Sequence, residues 1–296
     1  MINKLLIVGC GLIGGSFARA LRGAGAVTHI TVYDANGRDA REARLLGVVD
    51  AISDTLEAAA ADADFIFIAT PVSTIPAILA RLSKVISANC LVTDAGSTKA
   101  QLVEQARLLM GSKFSQFVPG HPIAGRETSG VGASDALLFK GKNIVLTPQP
   151  DTAEAALAGV SNVWEACGAN VRTMMAAEHD KIFAAVSHLP HLLAFALVDE
   201  IAGRDNADVF FNYAASGFRD FTRIAASSPD MWRDITLQNK VALQTELTAF
   251  QAKITQLQRL LDQPEATAGA GLHAMMSRAQ RARRDWQMGQ NVEPKA

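Results

Sequence analysis

Lys4-Leu5-Leu6-Ile7-Val8-Gly9-Cys10-Gly11-Leu12-Ile13-Gly14 is the stretch on which the fold turns. An apolar run of strand length ends in G-x-G-x-x-G, and a helical stretch through Phe17, Ala20 and Leu21 follows. In such a strand–turn–helix unit Gly9 allows the tight turn and Gly11 lets a pyrophosphate approach the backbone without meeting a Cβ. Gly14 lets the helix pack close to the strand. Leu12 and Ile13 open that helix, so their end of it holds the diphosphate. The motif alone is weak, but a second strand, His29 to Tyr33, ends at Asp34, 20 residues after Gly14. There a carboxylate accepts hydrogen bonds from a ribose 2′-hydroxyl and repels a 2′-phosphate, which predicts NAD rather than NADP. Arg38 and Arg41 are the nearby cations able to soften that preference. Thr70-Pro71 ends a third strand on the same carboxyl edge, where mainly backbone contacts to the cofactor are expected.

Outward from this unit, β-branched runs alternate with alanine- and leucine-rich stretches as far as about residue 174. That is the rhythm of a parallel sheet covered by helices. Strands are predicted at Lys4 to Val8, His29 to Tyr33, Phe65 to Ala69, Cys90 to Asp94, Gln116 to Pro119, Asn143 to Leu146 and Asn170 to Met174. Phe65-Ile66-Phe67-Ile68 shows no alternation, as a strand buried on both faces should not. From about Ala176 the strand signals stop. The expected architecture is α/β: a Rossmann-type dinucleotide-binding domain over residues 1–174 and an all-helical substrate-binding and dimerisation domain over 175–296. Leu243, Leu247, Phe250, Ile254, Leu257 and Leu261 step by four and three, placing an apolar stripe on one helix face. It suits another helix, in the chain's own core or across a dimer seam. Arg278, Arg281, Arg283 and Arg284 are read as a solvated helix face, and the last ~35 residues as too short for a regulatory domain.

Composition narrows the function. With 28 basic and 29 acidic side chains in 296 residues there is no net field to gather nucleic acid or anionic lipid, and neither partner is expected. Cys10, Cys90 and Cys167 are too scattered for a disulfide framework or a zinc cluster and read as buried thiols of a reducing, cytoplasmic protein. The longest uninterrupted apolar run, Leu192 to Val198, falls well short of the ~20 residues of a membrane helix. The apolar stretch between Lys4 and Cys10 is shorter than the ~7 to 15 residues of a signal-peptide core.

Oxidising an alcohol carbon with NAD needs a base for the hydroxyl proton, and imidazole suits that best. Of six histidines, His121 lies in Pro119-Gly120-His121-Pro122-Ile123-Ala124-Gly125, a predicted loop at the carboxyl end of a strand, where punctuating Gly and Pro hold the ring. His188 and His191 stand three apart and share a helix face, with Pro190 between them freeing a carbonyl. No carboxylate or thiol nearby completes that pair as a metal site, so none is expected.

Five segments together carry a resemblance: Gly9 to Ser16, Asp94-Ala95-Gly96-Ser97-Thr98-Lys99, Gly120 to Gly125, Ser187-His188-Leu189-Pro190-His191 and Gly217-Phe218-Arg219-Asp220-Phe221-Thr222-Arg223. In this order, over roughly residues 4 to 235, the chain resembles the prephenate/arogenate (cyclohexadienyl) dehydrogenases of tyrosine biosynthesis. The resemblance implies oxidative decarboxylation by hydride transfer from ring C4 to NAD. It implies that His121 takes the 4-hydroxyl proton, that Ser97 orients that pair, and that Arg223 binds a substrate carboxylate. It makes His188 and His191 pocket-lining groups, puts Trp232 near the pocket and assigns Glu127, His179, Asp180 and Asp220 to an ion network at the entrance. It also implies a homodimer through the helical half. Two other readings remain: a 3-hydroxyacid dehydrogenase using Lys181 as a helical base, and a dinucleotide-binding sensor without turnover. Against the first, Ala185 stands one turn after Lys181, where a polar partner belongs.

Overall fold

The computed structural model describes residues 1–126 and 128–290. Its strands are β1 (Ile2–Val8), β2 (Val27–Tyr33), β3 (Ala51–Ile52), β4 (Phe65–Ile68), β5 (Leu91–Asp94), β6 (Phe117–Val118), β7 (Gly120–Pro122), β8 (Asn143–Leu146) and β9 (Asn170–Thr173). Six make one parallel sheet in the order β3-β2-β1-β4-β5-β6. The helices α1 (Leu12–Gly23), α2 (Gly37–Leu45), α3 (Leu56–Ala61), α4 (Ile75–Leu82), α5 (Ala100–Met110) and α6 (Glu154–Ala166) cover it. Both faces are dry, as the unbroken apolar strands require: Leu5, Ile7, Phe65 and Phe67 pack with Phe17 and Trp164 on one side, while Leu6, Val8, Ile66 and Ile68 pack with Leu79 and Leu102 on the other. Phe17 meets Phe67 at 4.1 Å and the fully buried Trp164 at 4.8 Å between ring centroids.

The strands after Pro119 depart from the single parallel sheet expected. β7, β8 and β9 form a second, three-stranded sheet, with β7 antiparallel to β8 and β8 parallel to β9. The predicted strand Gln116 to Pro119 divides because proline has no N–H to continue a ladder, and Gly120 then turns the chain across the end of β5. A Cβ on Gly120 would sit 2.9 Å from the Asp94 carbonyl oxygen. His121 is consequently a strand residue paired with Val145, not a loop residue.

Secondary structure turns wholly helical at α7 (Ala176–Phe183) and α8 (Leu189–Ala202), followed by α9 (Ala207–Asn212), α10 (Ser216–Thr222), α11 (Pro229–Gln238), α12 (Lys240–Leu261) and α13 (Glu265–Gln290). By packing, the chain divides later, into a compact unit Met1–Leu243 and a second that begins at Gln244. Between α7 and α8 the residues Ala184–His188 wind as a π-helical turn, and Pro190 sits in the first turn of α8, so the helix continues past the proline. The resulting run Ala176–Ala202 is long and apolar enough, by length and composition alone, to cross a bilayer, which the seven-residue apolar core of that run does not reveal. About a fifth of its most apolar window is buried within the chain. Of the stripe on α12, Leu243 is buried, whereas Leu247, Phe250, Ile254 and Leu261 are between 37% and 67% exposed. The four tail arginines are exposed on α13.

Candidate active site

β1 and β4 are neighbours in the sheet whose following connections leave in opposite directions, so a crevice opens beyond their carboxyl ends. Gly9 follows β1 with φ of +89°, and a Cβ there would lie 2.7 Å from Thr70 Cγ2, beyond the end of β4. A Cβ on Gly14 would lie 2.1 Å from the Gly9 carbonyl oxygen, so the helix approaches the turn as closely as the motif predicts. A Cβ on Gly11 would meet nothing within 4 Å, which leaves the backbone above α1 open. Among the described residues no side chain caps α1 and no acid stands in its first turn, so the N–H groups opened by Leu12 and Ile13 are available to an anion. Asp34 accepts from the N–H groups of Cys10 (2.8 Å) and Asn36 (2.7 Å), clamping the glycine turn to the end of β2 with lone pairs to spare. Thr70 is half-buried and Pro71 exposed at the same edge.

Next along this edge, the end of β5 carries a fully buried ion pair between Asp94 and the Lys99 ammonium. Asp94 also accepts from Gly96 N–H (2.7 Å) and Gly120 N–H (3.0 Å), and Lys99 donates to the Gly120 carbonyl at 2.8 Å. One buried pair thus ties the turn holding Ser97 to the strand holding His121. Burial pulls the Lys99 ammonium below its usual range and the Asp94 charge pulls it back. A pair with both charges hydrogen-bonded is costly to break from one side, about 3 to 5 kcal/mol.

Behind His121 lies α7. The His121 Nδ1 and His179 Nε2 atoms are 2.8 Å apart, and His179 Nδ1 is 2.8 Å from Asp180 Oδ1. The two oxygens of Asp180 also accept from the N–H groups of Lys99 and Ala100, each at 2.8 Å, capping α5, which has no side-chain cap of its own. His179 is fully buried and Phe183 packs on both imidazoles, at 4.9 Å from His121 and 4.4 Å from His179. Desolvation, then the neighbouring His179, Lys99 and His188, push the His121 imidazolium well below its ordinary range. Burial lowers His179 as well.

His188 and His191 converge on Trp232 of α11: His191 stacks on the indole at 3.7 Å, and His188 meets it edge-on at 6.1 Å. The His191 Nδ1 hydrogen-bonds to the Ser187 carbonyl (2.8 Å) within the segment where Pro190 lacks an N–H. The Asn239 amide nitrogen donates to the Asp180 carbonyl (2.8 Å) and to His188 Nδ1 (3.1 Å). His188 Nε2 therefore carries the hydrogen, and it has no partner among the described residues; neither has the Trp232 indole N–H. Two buried donors without acceptors are what a substrate carrying oxygens would satisfy. Burial lowers the His188 pKa to about 4 and lowers that of His191, to which the nearby Arg223 charge contributes.

The family description "Prephenate dehydrogenase, nucleotide-binding domain" matches residues 17–173, and "Prephenate dehydrogenase, dimerization domain" matches residues 175–278. The chain belongs to the prephenate dehydrogenase family. It is 36% identical to the prephenate dehydrogenase of Bacillus subtilis over 90% of this chain and 72% of that one. It is 32% identical to the cyclohexadienyl dehydrogenase of Zymomonas mobilis over 87% of this chain and 88% of that one. The crystal structure of Aquifex aeolicus prephenate dehydrogenase in complex with hydroxyphenyl propionate and NAD+ superposes with a TM-score of 0.89 at 39% identity, covering 96% of this chain and 98% of that one.

Within this prephenate dehydrogenase fold the residues implied by resemblance do not all gather where expected. His121, His188, His191, Trp232 and Arg223 come together around one site. Ser97 is half-buried in the Asp94–Lys99 turn and makes no side-chain hydrogen bond to His121. His179 and Asp180, expected at an entrance, are instead buried behind His121. Asp220 is exposed on α10 and has no ion-pair partner among the described residues, and Glu127 lies outside the described residues. Lys181 is exposed on α7, unlike the buried His179 and Asp180 that precede it, so the helical-lysine reading finds no buried base there. Sequence reasoning missed Lys99 and Asn239. Asp94 at the end of a buried strand with a lysine five residues on was the available signal for the first; Asn239 gave none.

Proposed function

We propose that this chain catalyses the NAD-dependent oxidative decarboxylation of prephenate, or of its amino analogue arogenate, to 4-hydroxyphenylpyruvate or tyrosine and CO2. The observation that carries the reading is His121, held on β7 where it crosses the end of β5, near His188, whose buried Nε2–H, like the Trp232 indole N–H, lacks a partner among the described residues. The glycine turn fits a dinucleotide: Gly11 leaves open space, the α1 N-terminus is uncapped, and Asp34 retains lone pairs for a ribose hydroxyl. Bound NAD supplies the hydride acceptor. His121 accepts the 4-hydroxyl proton while the O–H pair becomes the carbonyl π bond, and the C4 hydrogen leaves with its electrons. As the 1-carboxylate leaves as CO2, the electron pair of the broken C1 bond moves through the ring to the C4 oxygen, restoring aromaticity, and that oxygen takes back the proton held by His121. Arg223 holds a carboxylate through its two-pronged guanidinium, His188 and Trp232 donate to substrate oxygens, and Ser97 orients the hydroxyl.

We read the exposed apolar surface on the Ala176–Ala202 run, with Phe210, Phe211 and Phe221 nearby in sequence, as one side of a homodimer seam. Glu178, Asp180 and Lys181 at one end of that run and the histidines at its centre argue against lipid as its partner. Three free, buried cysteines fit the reducing cytoplasm. NADH formation at 340 nm with prephenate, arogenate and a 3-hydroxyacid in parallel tests the assignment. Turnover of the first or second is expected, and His121→Asn should lower kcat by ~10² to 10⁴ with KM little changed. Turnover of the 3-hydroxyacid alone would overturn it.

A further inference from the structure

The line Asp180–His179–His121 has a direction, and the direction follows from which atoms can donate. Asp180 accepts hydrogen bonds at both oxygens from the N–H groups at the start of α5, Oδ1 from Lys99 and Oδ2 from Ala100, so both oxygens face donors and act as acceptors. Its third partner, His179 Nδ1, must therefore be N–H. A neutral His179 then offers a bare Nε2, and the atom facing it at 2.8 Å, His121 Nδ1, must be the donor. His121 is left with its lone pair on Nε2, the nitrogen not tied to α7.

We propose that His179 and Asp180 are positioning residues that lock His121 in its Nδ1–H tautomer and so present Nε2 as the base, an inference that rests on the prephenate reading above. A lone imidazole divides itself between two tautomers, and the wrong one puts N–H where the substrate hydroxyl must donate. The line has a second effect during reaction. As the hydroxyl proton reaches Nε2, His121 becomes a cation close to the Lys99 ammonium, the charge that already disfavours its protonation. The Nδ1–H bond to His179, oriented in turn by the Asp180 carboxylate, is the arrangement that offsets this without any proton leaving the line. Lys99, Asp94 and His188 are the other charged or titratable groups acting on this pair of rings. Phe183, packed on both, keeps water from competing for the shared hydrogen bond.

The test uses the full chain labelled with 15N-histidine. Two-bond 15N–1H spectra of the wild type, read without substrate, should assign His121 as Nδ1–H with Nε2 bare. In His179→Phe that preference should be lost. With prephenate, under conditions where a deuterium isotope effect at C4 shows hydride transfer to be limiting, His179→Phe should lower kcat by ~10² to 10⁴ and leave the KM values for prephenate and NAD within about threefold. His179→Gln, whose carbonyl accepts from His121 Nδ1–H, should stay within about tenfold of wild type. An Nε2–H tautomer of His121 in the wild type overturns the proposal, and so does a His179→Phe enzyme keeping more than a third of wild-type kcat. The tautomer is read whether or not prephenate is turned over, so a wild type inactive on prephenate sinks the functional reading and leaves the tautomer result standing. If His179→Phe does not accumulate, the wild-type spectrum and His179→Gln decide.

Discussion

Mild acid should destabilise this protein through His188. The ring is buried against Trp232, its Nδ1 accepts from Asn239, and its folded-state pKa lies at about 4. In the unfolded chain the same ring titrates near ~6.5. Between those two values the unfolded state binds a proton that the folded state refuses, so stability rises with pH across this window and is lost as pH falls. Going from pH 7 to pH 5, an unfolded pKa of ~6.5 against a folded one of ~4 costs about 2 kcal/mol, a large part of the ~5 to 15 kcal/mol of a typical domain. His121 and His179 shift in the same direction, so the total loss should exceed this figure. Urea unfolding of wild type and His188→Gln at pH 7, 6 and 5, at one protein concentration so that any dimer contributes equally, isolates the term. The two proteins will start from different stabilities at pH 7. What matters is the drop from pH 7 to pH 5, expected to be about 2 kcal/mol smaller in the variant with unchanged m-value. Equal drops, within ~0.5 kcal/mol, would refute the claim that His188 is buried neutral.

Gly11→Ala places its Cβ in open space, so thermal stability without cofactor should be unchanged while the KM for NAD rises at least ~10-fold; a drop in Tm with an unaltered KM contradicts the pyrophosphate role. Gly14→Ala, 2.1 Å from the Gly9 carbonyl oxygen, should instead lower Tm in the absence of NAD, and an unchanged melting curve would rule out the close helix–turn contact. Arg223→Ala should raise the KM for prephenate by ~10- to 150-fold with a smaller effect on kcat, the loss of charge-assisted bonds worth ~1.5 to 3 kcal/mol; a kcat defect with normal KM assigns the carboxylate clamp elsewhere. Sedimentation at micromolar concentration should give twice the 31.4 kDa chain mass, and Phe250→Asp should shift it toward the monomer if the exposed α12 stripe belongs to the seam.

Local patterning carried the strands, the glycine turn, Asp34 and the switch to helices at Ala176, because each is written in periodicity or in a turn that few residues can make. The two-residue strand β3 left no trace, being too short for any period, and the splitting of the sheet at Pro119 was hidden because a strand's partner is not in its own sequence. The same limit governs the site. His121, His188, His191 and Arg223 could be picked by chemistry and resemblance, since the residue type is the signal. What the tertiary structure alone decided is which groups stand behind them: a buried Asp94–Lys99 pair under the His121 strand, an Asn239 that sets the His188 tautomer, and an Asp180 that caps α5 while orienting His179. The long-range bonds among them join residues 21 to 81 positions apart, and the direction of each hydrogen bond depends on which partner has already been satisfied. Chain order holds no record of that, because burial and hydrogen-bond direction are properties of the packed neighbours rather than of the residue.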